Sequence, residues 1–274
     1  MDDDETQKVL TPVEIFGVDV REMRLARRMS VRGLGAAVGY SGAYVSKVER
    51  ATIVPSAKFA EGCDRAFGTG AMMARQRQSA VEGDHPTWFV PYLQHERKAS
   101  RIFTYSTLYV MGMLQTPEYA RALYRRGPSR FSSSTIDAKV LERASRREVL
   151  DRTDPAPPVL WVVLHEASLR VVMGGPQIME RQLKRLLEDA ERPNVTLQFM
   201  PFGCPPATDA PFTLLAFDDA PTVLHAEGPQ GGRPQDTPKI TSAAIDTYDR
   251  LRAEALGQSE SLTRIRKILE EYAP

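Results

Sequence analysis

The chain has 274 residues, 42% hydrophobic and 26% charged, with 36 Lys and Arg against 35 Asp and Glu. That length implies about two domains with a sizeable core, and no apolar run approaches the roughly 18 residues a membrane span needs. Cys63 and Cys204 are too few and too far apart for a disulfide framework or a zinc site, so a reducing cytoplasm fits best.

The balanced total hides an asymmetry. Residues 15–80 carry 11 basic and 5 acidic side chains, and the rest carries 25 and 30. A basic first domain on a mildly acidic body implies a polyanionic partner for that domain alone.

Residues 1–14 read as a disordered acidic lead-in, not a signal peptide. The spacing of Phe16, Val20 and Met23 predicts an amphipathic helix from Ile15 to about Arg28. Ser30 is a natural N-cap for a second helix, Val31 to Val38, with Gly39 as its stop. Ser41 can cap a third, Gly42 to about Arg50. Pro55-Ser56 opens a fourth, with Phe59, Cys63 and Phe67 on one face and Gly68 at its end.

On a 100° wheel Val45 and Val48 face the preceding helices, while Gly42, Ala43, Ser46, Lys47 and Arg50 turn outward, with Tyr44 at the edge. A helix that enters the major groove needs a slim leading end and donors beyond it, and this one has both. Short helix pairs with glycine turns also occur in plain bundles, so periodicity alone does not decide.

Residues 81–152 read as a helical connecting region, including "TWFVPYLQHERKASRIFTY", "TPEYARALYRRG" and "STIDAKVLERASRREVLDR". The aromatics Trp88, Phe89 and Tyr92 with Leu93 are more plausible as core than as a ligand cage. The proline-rich "TDPAPP" at 153–158 marks a boundary. Beyond it, "VLWVVL", "NVTLQFM", "PFTLLAF" and "TVLHAE" are strand candidates, "PQIMERQLKRLLEDAER" is a helix, and two helices close the chain. The fold class expected is a mainly α head at 15–80 followed by an α+β regulatory body at 153–274, with a small sheet and flanking helices.

"REMRLARRMSVRGLGAAVGYSGAYVSKVERATIVPS" resembles the repressor-like helix-turn-helix of the Xre and lambda-repressor family across residues 15–70. The matching positions are Gly35, Gly39, Val45, Ser46, Glu49 and Pro55-Ser56. The resemblance implies a recognition helix at 41–50, so the candidate DNA-binding residues are Ser41, Gly42, Ala43, Tyr44, Ser46, Lys47 and Arg50 there, with Arg32 on the helix before it. It also implies a structural pair between Arg24 and Glu49. The chain departs from the family in having Val31, not Gln, at the start of the first motif helix, with Arg32 beside it as a phosphate contact. Gly42 and Ala43 cannot donate to bases, which leaves Lys47 for guanine or phosphate, Ala43 for a thymine methyl, and DNA shape.

"GMLQTPEYARALY", "LHEASLRVVMGGPQIMERQLKRLLE" and "MPFGCPPATDAPFTLLAF" resemble the C-terminal region of WhiJ-like actinomycete regulators. That resemblance implies a transcriptional regulator. Its head is expected to bind a double-stranded DNA operator, and its body to mediate homodimerisation and respond to a partner protein or small molecule. The resemblance also implies a possible partner, a small protein encoded beside it. The alternative is an antitoxin-like adaptor whose DNA binding is only autoregulatory.

No constellation for catalysis, metal or cofactor emerges. "LHEASL" carries Leu169 where a zincin needs its second His, and "GPQGGRP" lacks the Lys-Ser/Thr of a phosphate loop. His165, Glu166, His225 and Glu227 lie near strand ends and are a candidate pocket; as polar groups at sheet edges they need none. Cys204 is a candidate redox sensor or an incidental loop cysteine. The chain is expected to be a cytoplasmic, non-enzymatic regulator.

Overall fold

The computed structural model describes residues 10–82, 89–127, 132–228, 231–232 and 234–272. Trp88, residues 1–9 of the acidic lead-in, and residues 229, 230 and 233 of the glycine-rich loop lie outside them. The chain divides into two compact units. One comprises residues 1–84 and 131–145, the other 85–130 and 146–274.

The first unit is helical. Helix α1 spans Pro12–Ala26, α2 Val31–Val38, α3 Gly42–Glu49, α4 Ala57–Phe67 and α5 Met72–Glu82. The expected lead-in is therefore too long, because helix begins at Pro12. Thr11 and Glu14 form a reciprocal capping box there, satisfying amides that would otherwise be orphaned. The expected caps of α2 and α4 are present. Ser30 and Ser56 accept from the amides of Gly33 and Phe59, and Gly39 and Gly68 close the helices at φ of 77° and 69°. Phe16, Val20, Leu34, Val45, Phe59, Cys63 and Met73 fill the core. Burial pushes the Cys63 thiol up to about 12, so it serves as a small apolar filler.

Two features of this unit are absent from the sequence reading. Helix α5 is seated by Asp64, whose carboxylate accepts from the amides of Met73 and Ala74, both at 2.9 Å, and from the Thr69 hydroxyl at 2.6 Å. Helix α8, Ser133–Ser145, lies far along the sequence but packs with this unit through Leu141 against Val13, Val54 and Ala80.

Burial alone would raise the Asp64 carboxyl, but its three hydrogen bonds and the charge of Arg75 outweigh that and lower it. A lowered folded value means a stabilisation present above the unfolded carboxylate value of about 4 and lost as pH falls through the folded one. Asp64→Asn is expected to cost about 1–2 kcal/mol at pH 7. In denaturant titrations the gap between wild type and variant should close below about pH 4; a gap independent of pH would contradict this role for the carboxylate.

The second unit is built on a sheet. Helix α6, Val90–Lys98, leads into β1, Arg101–Ser106. After α7, Pro117–Arg125, come β2, Val159–His165, the short helix α9, Glu166–Arg170, and α10, Pro176–Asp189. Then follow β3, Val195–Met200; β4, Phe212–Ala216; β5, Val223–Gly228; and β6, Gly231–Gly232. Helices α11, Pro238–Glu254, and α12, Gln258–Tyr272, end the chain. The order across the sheet is β3-β2-β1-β4-β5-β6, with β1, β2 and β3 parallel and β4 to β6 antiparallel.

The α+β class expected for the body is observed, but its central strand lies in the stretch expected to be a helical connector. In β1, Ile102 and Thr104 are buried on one face and Tyr105 on the other, so the alternation that would reveal a half-exposed strand is missing. Leu160, Val162, Leu164, Ile102 and Leu197 pack on α10 and α12 through Met179, Leu183, Leu186, Ile265 and Ile268. The opposite face packs Tyr105, Val163, Phe212 and Leu214 against Tyr248 and Leu251 of α11. The outer edge of β3 is blunted: the Phe199 amide donates to Ser261 Oγ at 2.8 Å, and the Phe199 carbonyl accepts from Leu256 at 2.9 Å. Among the described residues, no helix is long and apolar enough to cross a membrane.

Candidate nucleic-acid interface

Three glycines answer why α1, α2 and α3 sit so close. A Cβ at Gly35 would lie 2.6 Å from the Tyr40 carbonyl oxygen, so the turn from α2 to α3 requires glycine there. A Cβ on Gly17 of α1 would lie 2.6 Å from the Val48 carbonyl oxygen, at the end of α3. A Cβ on Gly42 would lie 3.1 Å from Cγ of Arg32, so the starts of α2 and α3 lie side by side.

Helix α3 is capped by Ser41, whose hydroxyl accepts from the Tyr44 amide at 3.2 Å. Val45 and Val48 are buried in the core, while Ser41, Ala43, Lys47 and Arg50 are exposed and Gly42 and Ser46 half-buried. One surface of α3 therefore points to solvent, small and neutral at its start and basic toward its end. Arg32 is also exposed, beside that start. The N-terminal dipoles of two adjacent helices beside a guanidinium favour an anion.

Besides Ser41 in its cap, two more of the eight expected contact residues are tied to the protein. Tyr44 turns toward α4. Its hydroxyl accepts from the Ser56 amide at 2.9 Å, and its ring packs on Tyr40 at 4.5 Å and Phe59 at 5.2 Å between centroids. In this structure it positions α3, and the pattern of apolar residues on α3 alone gave no sign of that. Arg50 stays exposed but folds back, donating from Nε to the Ser46 carbonyl at 3.2 Å.

Arg24 and Glu49, 25 positions apart, meet as a buried pair. Nε and Nη2 of Arg24 donate to the two carboxylate oxygens at 2.5 and 2.8 Å, and Nη1 donates to the Met29 carbonyl at 3.0 Å. The Glu49 carboxylate, as hydrogen-bond acceptor, raises the Arg24 guanidinium above its ordinary value. One side chain thus ties the end of α3 to α1 and to the turn before α2. Arg27, which the sequence places only in the amphipathic pattern of the first helix, clamps α1 to the end of α4 by donating to the Phe67 carbonyl and lying 5.1 Å above the Phe67 ring.

Residues 15–76 match a family model described as "Helix-turn-helix domain", and residues 89–267 match one described as "Domain of unknown function (DUF5753)". The chain belongs to the DUF5753 family. No curated protein and no solved structure matches it. In this DUF5753 chain the first unit carries a helix-turn-helix, the hallmark of a DNA-binding regulator. The pair of helices at its centre is α2 and α3.

The second candidate site of the DUF5753 chain, His165, Glu166, His225 and Glu227, does not assemble. His165 and Glu166 stand at the end of β2, and His225 and Glu227 are on β5, with β1 and β4 between them. Three strand spacings separate the pairs by about 14 Å across the sheet. His165 Nδ1 accepts from the Ala167 amide at 3.2 Å, and burial pushes its ring below the ordinary imidazole value against the opposing pull of Glu166. Glu166 accepts from Arg170 Nε at 2.5 Å and from the Phe202 amide at 3.0 Å; burial raises its carboxyl, and these bonds outweigh it and lower it. His225 is buried against the Tyr92 ring at 4.2 Å and lies 3.2 Å from Glu227.

Proposed function

We propose that the chain is a sequence-specific transcriptional regulator of the Xre type with a WhiJ-like body, and that α3 is its recognition helix. The observation that carries this reading is the one-sided surface of α3. Its leading end is slim enough to enter a major groove about 12 Å wide, and its cations lie behind that tip. Ala43 offers a methyl to thymine, Lys47 reaches a guanine edge or a phosphate, and Arg32 holds the backbone beside the start of α2. Few direct donors at the tip mean that DNA shape contributes much of the discrimination.

A symmetric operator is bound by a homodimer that places two heads about 34 Å apart. The body supplies dimerisation and reception of a signal. It performs no catalysis, and the protein acts in the cytoplasm. A small protein encoded beside it is the partner that the WhiJ-like resemblance supports, and co-purification of the two tests that part.

Lys47→Ala is expected to weaken operator binding and to lower the slope of log affinity against log salt by about one unit. Fluorescence anisotropy at several salt concentrations measures both. Affinity and slope equal to wild type would remove Lys47 from the interface.

A further inference from the structure

Helix α8 belongs to the first unit, but the chain that forms it comes from between two elements of the second, α7 and β2. It ends at Ser145, and a 3-10 turn, Arg146–Leu150, follows with no residue between them. That turn belongs to the second unit. A change in the seat of the turn therefore reaches the last residues of α8 without an intervening loop.

Both ends of this stretch are fixed by buried contacts. In the second unit Arg146 donates to Glu96, and Arg147 donates to both carboxylate oxygens of Asp189, which is 1% exposed. Arg147 also donates to the Met113 carbonyl at 3.3 Å, and Val149 and Leu150 enter the core. In the first unit Leu141 of α8 packs on Val13, Val54 and Ala80, in the cluster that also takes in Ala51.

Ala51 and Val54 lie just past α3. Arg50 caps the helix, Ala51 takes a left-handed φ of 53°, and Thr52 donates from its amide and its hydroxyl to the Lys47 carbonyl, both at 3.0 Å. A left-handed backbone is unfavourable for a residue with a Cβ, so this turn persists because its surroundings hold it. Leu141 is part of those surroundings. Helix α5 is another part, since Arg77 Nε donates to the Pro55 carbonyl at 2.9 Å. The carbonyl that the turn holds belongs to Lys47, the residue assigned above to the groove.

We propose that α8 is the strut through which the body sets the recognition helix. The seat of the 3-10 turn at Glu96 and Asp189 fixes α8, and Leu141 fixes the turn that ends α3. A signal that shifts that seat changes the order of residues 45–54 and, with it, affinity for DNA. The regulatory meaning rests on α3 being the recognition helix, but the coupling itself is read without DNA.

The test is hydrogen–deuterium exchange of the full chain, read by mass spectrometry, in two variants. Leu141→Ala should speed exchange across residues 45–54 about tenfold. Arg147→Met alters a contact in the second unit alone, yet it should speed exchange in 133–145 and again in 45–54, while β2 and β3 keep their protection. Unchanged exchange at 45–54 in either variant overturns the proposal. So does a rise in Arg147→Met that β2 and β3 share, because the head then merely follows loss of the body's fold. Failure of the recognition-helix reading shows elsewhere, as operator affinity indifferent to Lys47→Ala, and leaves these exchange results standing.

Discussion

Glu49→Ala is expected to destabilise the first unit by about 3–5 kcal/mol, enough to leave much of it unfolded at 37 °C. Among the described residues, the substitution leaves the buried Arg24 guanidinium with the Met29 carbonyl as its one remaining hydrogen-bond partner. Its charge keeps its desolvation cost and loses the attraction that offset it. Arg24→Ala should cost a similar amount, by stranding the Glu49 carboxylate. The double replacement Arg24→Met with Glu49→Leu should recover most of the stability, because well-packed apolar residues often match or exceed a buried ion pair. Thermal melts of the three variants, followed through the helical signal, check this. If Glu49→Ala melts within a degree or two of wild type, the pair is not what holds α3 in place.

The second large effect belongs to the body. Glu96 of α6 is 1% exposed and accepts from Nε and Nη2 of Arg146 at 2.9 and 2.7 Å, and from the Tyr92 hydroxyl at 2.7 Å. The Arg146 guanidinium also lies 5.6 and 5.5 Å from the Phe89 and Tyr92 ring centres, and a Cβ at Gly112 would come within 2.9 Å of its Nη1. A charge so enclosed has little room to relax. Glu96→Ala should therefore cost about 3–5 kcal/mol in this unit, whereas Glu96→Gln, which keeps a neutral acceptor, should cost less. Urea titration followed by fluorescence of Trp161, with Trp88 replaced, reads it. Equal midpoints for Glu96→Ala and wild type would contradict the account.

These two pairs also mark where the sequence was legible. Helix ends are local events, so Ser30, Gly39, Ser41, Ser56 and Gly68 announced α2, α3 and α4 without help from the rest of the fold. The outward face of α3 followed from the spacing of Val45 and Val48 alone. Arg24 and Glu49 came from the family resemblance, because nothing local links residues 25 apart. Glu96 and Arg146, 50 apart, carried no comparable sign.

The central strand was lost for a different reason. β1 is buried on both faces and follows directly on α6, so its aromatic and apolar residues read as more helix. The destination of α8 depends on Leu141 meeting residues some 60 to 130 positions earlier, which no periodicity encodes. The candidate quartet at 165–166 and 225–227 failed because strand order, not distance along the chain, decides which strand ends are neighbours.

The measurement closest to the central claim is methylation interference on an operator recovered by genome-wide pull-down of the native protein. Methylation of guanine N7, which lies in the major groove, should block binding at a few symmetric positions one helical turn apart. Lys47→Ala should lose sensitivity at one of those positions in each half-site. Binding that tolerates N7 methylation throughout the operator and is unchanged in Lys47→Ala would mean that α3 does not enter the groove.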